Sequence, residues 1–289
     1  MAMNKLQNGI RKLKNPLTVV FTADRMSVPP HYFENAETTA QAFCAYSKDL
    51  LTALKGLVPA VRFGLGSFVM LGAEGPGVLA QLLDFAKKQE FYVLLDGPEL
   101  LSSQDAILTA EAFMAEESVW HCDGLVISPY IGSDGIKPFL EKMKDNDKDL
   151  FVAMRTGNRS ASEIQDLMAG SRLVYTAVAD SAYRLGETFI DRSGFSRIGG
   201  MGGACSADSL RNLRSKYPKL FLLVDGFDYT GTNAKNASLA FDKLGHGAAV
   251  CAGTGVLCAW KELGGDPMET AISEIERMKK NLTRYITVL

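Results

Sequence analysis

The chain has 289 residues, 47% of them apolar and 22% charged, with 31 basic against 33 acidic side chains and a formal net charge of −2. Such a balance lacks the basic stripe of a general nucleic-acid binder, no apolar run approaches the ~20 residues of a membrane span, and the opening MAMNKLQNGIRKLKN has no apolar signal core. A chain of this length can remove roughly three quarters of its unfolded surface from water without a disulfide or metal staple, so a soluble, cytoplasmic protein is expected.

In chain order, short apolar runs alternate with longer amphipathic stretches. The first run, 17–22, reads as a strand and is followed by a helical pattern over 36–56 with Ala40, Phe43, Leu50, Leu51 and Leu54 on one face. A second run, 58–65, precedes a helix over 74–89 that aligns Leu79, Leu82, Leu83 and Ala86. Further strands are predicted at 91–95, 124–128, 150–154, 198–203, 220–224 and 248–252, each bounded by Gly, Pro, Asp or Asn. A helix over 206–217 opens on a capping serine, and one over 267–285 closes the pattern. The strands are nearly continuous apolar runs without alternation, as expected of parallel strands covered on both faces.

Alternation of this kind makes βαβ units. A doubly wound open sheet would carry a Gly-x-Gly-x-x-Gly turn after its first strand. Here that turn is Thr22-Ala23-Asp24-Arg25, without glycine. The fold expected is therefore a single α/β domain over 1–289, a closed (β/α)8 TIM barrel.

In such a barrel the active site lies at the C-terminal ends of the strands. Those ends carry Asp24, Arg62, Asp96, Tyr130, Arg155 with Thr156 and Asn158, Asp225, and Gly253-Thr254-Gly255. Any one of them could merely cap a helix or turn the chain. A whole ring of acids and arginines on one rim points instead to a ligand site. Gly253-Thr254-Gly255 suits a phosphate held by backbone N–H groups, although a tight turn uses the same residues. The five cysteines are scattered, without a Cys-x-x-Cys pair, and His121-Cys122 reads as a buried thiol beside a helix-end histidine. No metal or other cofactor is expected.

Several segments carry a resemblance. They include Met3-Asn4-Lys5-Leu6, Val58-Pro59-Ala60-Val61-Arg62, Gly72-Ala73-Glu74-Gly75, Thr109-Ala110-Glu111-Ala112-Phe113, Ser128-Pro129-Tyr130-Ile131-Gly132, Arg155-Thr156-Gly157-Asn158 and Ile164-Gln165-Asp166-Leu167. In order and spacing the chain resembles the orotidine 5′-phosphate decarboxylases, in their longer bacterial subfamily. The resemblance implies a barrel, a homodimer with shared active sites, and a nucleotide-like small-molecule ligand. It implies catalytic positions at Asp96, Asp105 and Arg62, and ligand contacts from Asp24, Thr109, Thr156 and Asn158. A phosphate grip would fall on Gly226, Thr230, Gly253 and Thr254.

The family reaction leaves a carbanion on the pyrimidine ring, which a lysine stabilises and protonates between flanking aspartates. Against the family pattern Asp-x-Lys-x-x-Asp, Asp96 and Asp105 match the aspartates, but Pro98 occupies the lysine position and the intervening loop 97–104 is longer. No lysine occurs between Lys88 and Lys137, and Arg62 stands where the family has an earlier lysine. Arginine does not deprotonate at accessible pH, so it cannot donate the proton. The family's phosphate-binding glutamine becomes Thr230, with Asp225 and Asp228 nearby, and its arginine becomes Thr254. Three functions follow: the family decarboxylase with relocated groups, a repurposed barrel enzyme on a nucleoside- or sugar-like ligand, or a non-catalytic paralogue. The last predicts Arg62 paired with Asp96 and the 97–104 loop filling the pocket.

Overall fold

The computed structural model describes residues 2–227 and 233–286. Eight parallel strands close into a barrel in chain order: β1 (Leu17–Phe21), β2 (Ala60–Gly64), β3 (Tyr92–Asp96), β4 (Gly124–Ile127), β5 (Asp149–Arg155), β6 (Ile198–Gly203), β7 (Leu222–Asp225) and β8 (Ala248–Ala252). Closure sets Leu17 of β1 opposite Val250 of β8. All eight expected strands are present, with edges moved by a residue or two. Pro59, which has no N–H to give to the ladder, stands just outside β2. β5 extends past its apolar run to take in Asp149 and Arg155, charged residues at the two ends of the barrel.

Helices cover the strands as expected of parallel sheets. Thr39–Leu54, Gly75–Lys88, Ala207–Lys216 and Pro267–Thr283 occupy the stretches whose periodicity predicts them. The capping serine at 206 acts as read, and Thr38 and Asp266 cap two further helices in the same way. Thr38 Oγ1 accepts from Gln41 N at 3.2 Å, Ser206 Oγ from Ser209 N at 3.4 Å, and Asp266 Oδ1 from Met268 N at 2.9 Å. Among the described residues, four further helices of nine or more residues, Ala2–Leu13, Ser103–Met114, Lys137–Asp145 and Val174–Gly186, are absent from that reading. In Ala2–Leu13 the apolar stripe is only Met3, Leu6 and Ile10, set among Asn, Gln, Gly and Lys.

That first helix closes the floor of the barrel. Met3, Leu6 and Ile10 are fully buried and share a cluster with Tyr92, Phe151, Phe221 and Leu223, which point inward from the strand starts. Gln7 accepts from Gly247 N at 2.9 Å, and the Lys5 ammonium reaches Phe91 O at 2.7 Å. Beside this cluster sits Asp149, fully buried, accepting from the Tyr92 hydroxyl at 2.6 Å with Arg197 Nε 3.5 Å away. Arg197 is itself anchored by the carbonyls of Met143, Asn146 and Lys148 at 2.5–3.0 Å. With the floor plugged by this helix, functional side chains are sought at the opposite, C-terminal ends of the strands.

All five cysteines are free; Cys122 is buried while His121 is exposed. Among the described residues no three His, Cys, Asp or Glu side chains gather as metal ligands, and no helix is long and apolar enough to cross a membrane.

Candidate functional site

The mouth is organised around one guanidinium. Arg62 lies inside the barrel on β2 and is only 6% exposed. It makes a two-point bridge to Asp96 at the end of β3, Nε to Oδ1 at 2.7 Å and Nη2 to Oδ2 at 3.0 Å. Its Nη1 reaches Asp225 Oδ1 at the end of β7 at 3.4 Å. In an eight-stranded barrel β3 and β7 face each other, so one side chain ties opposite walls together. Beneath it lie two sulfurs, Cys251 Sγ on β8 at 3.5 Å from Nη1 and Met201 Sδ on β6 at 3.6 Å from Nη2.

A buried charge survives only when paired and hydrogen-bonded, and here the planar fork of arginine satisfies a carboxylate at two points. Burial works to lower the Arg62 pKa, but the carboxylates of Asp96 and Asp225 outweigh it, and the guanidinium is held charged. Burial raises the Asp96 pKa, Asp225 adds repulsion, and Arg62 only partly offsets the two. Burial likewise pushes the Cys251 thiol up to about 12, so it stays protonated.

A second arginine is held in the same fashion. Arg155, 7% exposed at the end of β5, bridges Asp166 at 2.9 and 3.3 Å and donates to Thr156 O at 2.9 Å and Cys205 Sγ at 3.3 Å. The hydrogen bond it donates to Asp166 raises its pKa. Gln165 accepts from Thr156 N at 2.8 Å, and the Thr156 hydroxyl reaches Asn158 Oδ1 at 2.5 Å. Thr156, half-buried, and Asn158, exposed, thus form a hydrogen-bonded loop on the rim.

The remaining candidates are placed differently. Asp24 is exposed and caps a 3-10 turn, accepting from Met26 N at 2.9 Å. Asp105 does not join Arg62. It sits in the first turn of Ser103–Met114, where its N–H donates to Ser102 Oγ at 3.1 Å and its carboxylate accepts the Ser102 hydroxyl at 2.8 Å. That is a capping arrangement, and it accounts for Asp105 within one chain. Thr109 is buried in the same helix. In the 97–104 loop, Gly97 N bonds Val126 O at 2.9 Å, Leu100 is buried beside Gly135, and Leu101 faces solvent. Gly253 and the exposed Thr254 open a four-residue helix, and Thr230 lies outside the described residues.

Sequence reasoning missed Cys251, Met201 and Asp166, the groups that hold the two arginines. It also missed a glycine contact that closes one side of the mouth. A Cβ on Gly203 would stand 2.6 Å from Gly157 Cα and 2.8 Å from Thr156 O, and Gly226, at φ +70°, packs on the same Gly157. Gly203→Ala is expected to cost about 1–3 kcal/mol by forcing backbone apart. Thermal unfolding checks the cost, and amide exchange should show loosening at Thr156–Asn158.

No family model matches the chain. It is 29% identical over 229 residues to the orotidine 5′-phosphate decarboxylase of Rhodopirellula baltica, covering 78% of this chain and 76% of that one. With the Clostridium novyi orotidine 5′-phosphate decarboxylase it shares 26% over 288 residues, 98% of this chain and 99% of the relative. The orotidine 5′-monophosphate decarboxylase structure of Plasmodium berghei superposes with a TM-score of 0.79 over 99% of both chains at 14% identity, which speaks for the fold alone. The chain is thus similar to orotidine 5′-phosphate decarboxylases along nearly its whole length, and it shares the barrel fold of the solved one.

Proposed function

We propose that this chain is a divergent member of the orotidine 5′-phosphate decarboxylase family that binds a nucleoside- or sugar-like ligand at the barrel mouth and does not carry out the family's decarboxylation. The observation that carries this reading is Arg62. Its guanidinium is locked between Asp96 and Asp225 at the place of the family's earlier lysine, while Pro98 stands where the resemblance puts the protonating one. Arginine stays protonated through any accessible pH, so it cannot deliver a proton to a ring carbanion. The segment 89–136 holds no lysine to replace it.

The same geometry speaks to the ligand. Asp96 and Asp225 bring two carboxylates to one guanidinium, and Arg155 is spent on Asp166. Such a mouth repels a phosphate dianion and suits neutral hydroxyls and amides, which the Thr156–Asn158 loop and Asp24 can bind. A homodimer belongs to this reading. Leu101, Ile107 and Leu108 crowd one end of the Ser103–Met114 helix with at least half of each side chain exposed, a surface a second copy would cover.

The test is direct. Loss of orotidine 5′-phosphate absorbance should not exceed the uncatalysed rate, uridine should raise the melting temperature more than its 5′-monophosphate does, and sedimentation should show a dimer. Saturable decarboxylation would overturn the proposal and favour the second reading, the family reaction itself. Similarity over 98% of the chain supports that alternative.

A further inference from the structure

Where the helical turns Thr254–Leu257 and Ala259–Leu263 pack on the final helix Pro267–Thr283, a cavity of about 360 Å³ opens. Small-molecule sites occupy about 300–1,000 Å³, so it is large enough to hold one. Thr254 edges it on the side of the β8 turn, and Leu263 and Cys258 supply apolar wall. Two carboxylates, Glu262 and Glu274, and one guanidinium, Arg277, also line it.

Glu274 is the unusual group. It is 5% exposed, yet its oxygens accept from Arg277, Nε to Oε2 at 2.8 Å and Nη2 to Oε1. An ion pair one helical turn apart forms readily on an open surface and needs no burial. Burying a carboxylate carries a desolvation cost that a structural role here does not require. A carboxylate offers about four lone-pair positions, so a pair with Arg277 leaves room for a further donor.

We propose that this cavity binds an amphipathic amine, its ammonium against Glu274 and Glu262 and its apolar body against Leu263 and Cys258. The excess of one carboxylate over the guanidinium selects a cation over an anion. The site lies outside the strands, and it shares with the mouth only the β8 turn at Thr254.

Cys258 reports occupancy. Burial raises its pKa, so iodoacetamide labelling is run at alkaline pH and read by peptide mass mapping, with exposed Cys205 as internal control. Benzylamine should slow Cys258 labelling saturably and leave Cys205 unaffected, while benzoate should protect neither. Glu274→Gln should weaken that protection about tenfold or more, as loss of a charge-assisted bond does. Leu263→Trp, which fills the cavity and keeps the ion pair, should abolish protection with the circular dichroism spectrum unchanged. Protection by benzoate equal to that by benzylamine, no protection by either, or full benzylamine protection in Leu263→Trp would each overturn the proposal.

Discussion

Arg62→Ala is expected to lower stability by about 3 kcal/mol at neutral pH, the lower end of the cost of breaking a buried ion pair. The side chains of Asp96 and Asp225 are about a third exposed, so water screens part of the loss. The deficit has a defined pH dependence. Asp96 already has a pKa above its ordinary 3.8, because burial and Asp225 outweigh Arg62. Removing Arg62 takes away the opposing charge and raises it further. In the variant the folded chain then holds more protons than the unfolded chain from the ordinary value up to the raised one, and stability falls as pH rises through that window. Urea titrations of both proteins across the acid range should therefore converge at low pH and separate toward neutrality. A deficit that is constant with pH would mean that Arg62 contributes by packing on Cys251 and Met201 rather than by charge.

Arg62→Lys separates fold from chemistry. A lysine there keeps one charge but cannot bridge Asp96 at two points while reaching Asp225. It should recover part of the stability. The family's proton donor belongs between Asp96 and Asp105, where Pro98 stands, so decarboxylation should not return with it.

The barrel was legible because its strands are buried on both faces and so read as unbroken apolar runs. The strand ends followed from those runs, which is how Arg62, Asp96 and Asp225 could each be named from the chain alone. What joins them is less visible. Cys251 and Met201 lie within apolar runs and carry no polar mark, and the contact of Gly203 with Gly157 exists only once β5 and β6 are neighbours. Asp105 is a different case. Its spacing before Thr109 fits a family pattern, while its local setting, three residues after Ser102, fits a helix start equally well. The first helix escaped notice because its three core contacts are diluted by polar residues, and the barrel floor supplies the stability that its own sequence does not.

At that floor the expected result is the reverse of the usual one: Asp149→Asn should stabilise the protein, and increasingly so as pH rises. Burial lifts the Asp149 pKa well above its ordinary value of 3.8, against the lowering effects of Tyr92 and Arg197. A carboxyl raised in this way contributes stability fully below the unfolded pKa and loses it as pH climbs through the folded one. The loss runs at up to about 1.4 kcal/mol per pH unit within that window. Asparagine keeps the size and an acceptor for the Tyr92 hydroxyl but has no proton to lose, so the two stability curves should diverge with pH. Asp149→Ala removes the acceptor too, leaving Tyr92 and Arg197 without it, and should cost about 3–5 kcal/mol. Chemical denaturation of the three proteins at several pH values decides the matter. Because the floor lies at the opposite end of the strands from Arg62, Asp149→Asn should leave uridine binding at the mouth unchanged, whereas Arg62→Ala should alter both binding and stability. A floor substitution that shifts binding would show that the two ends are coupled through the barrel core.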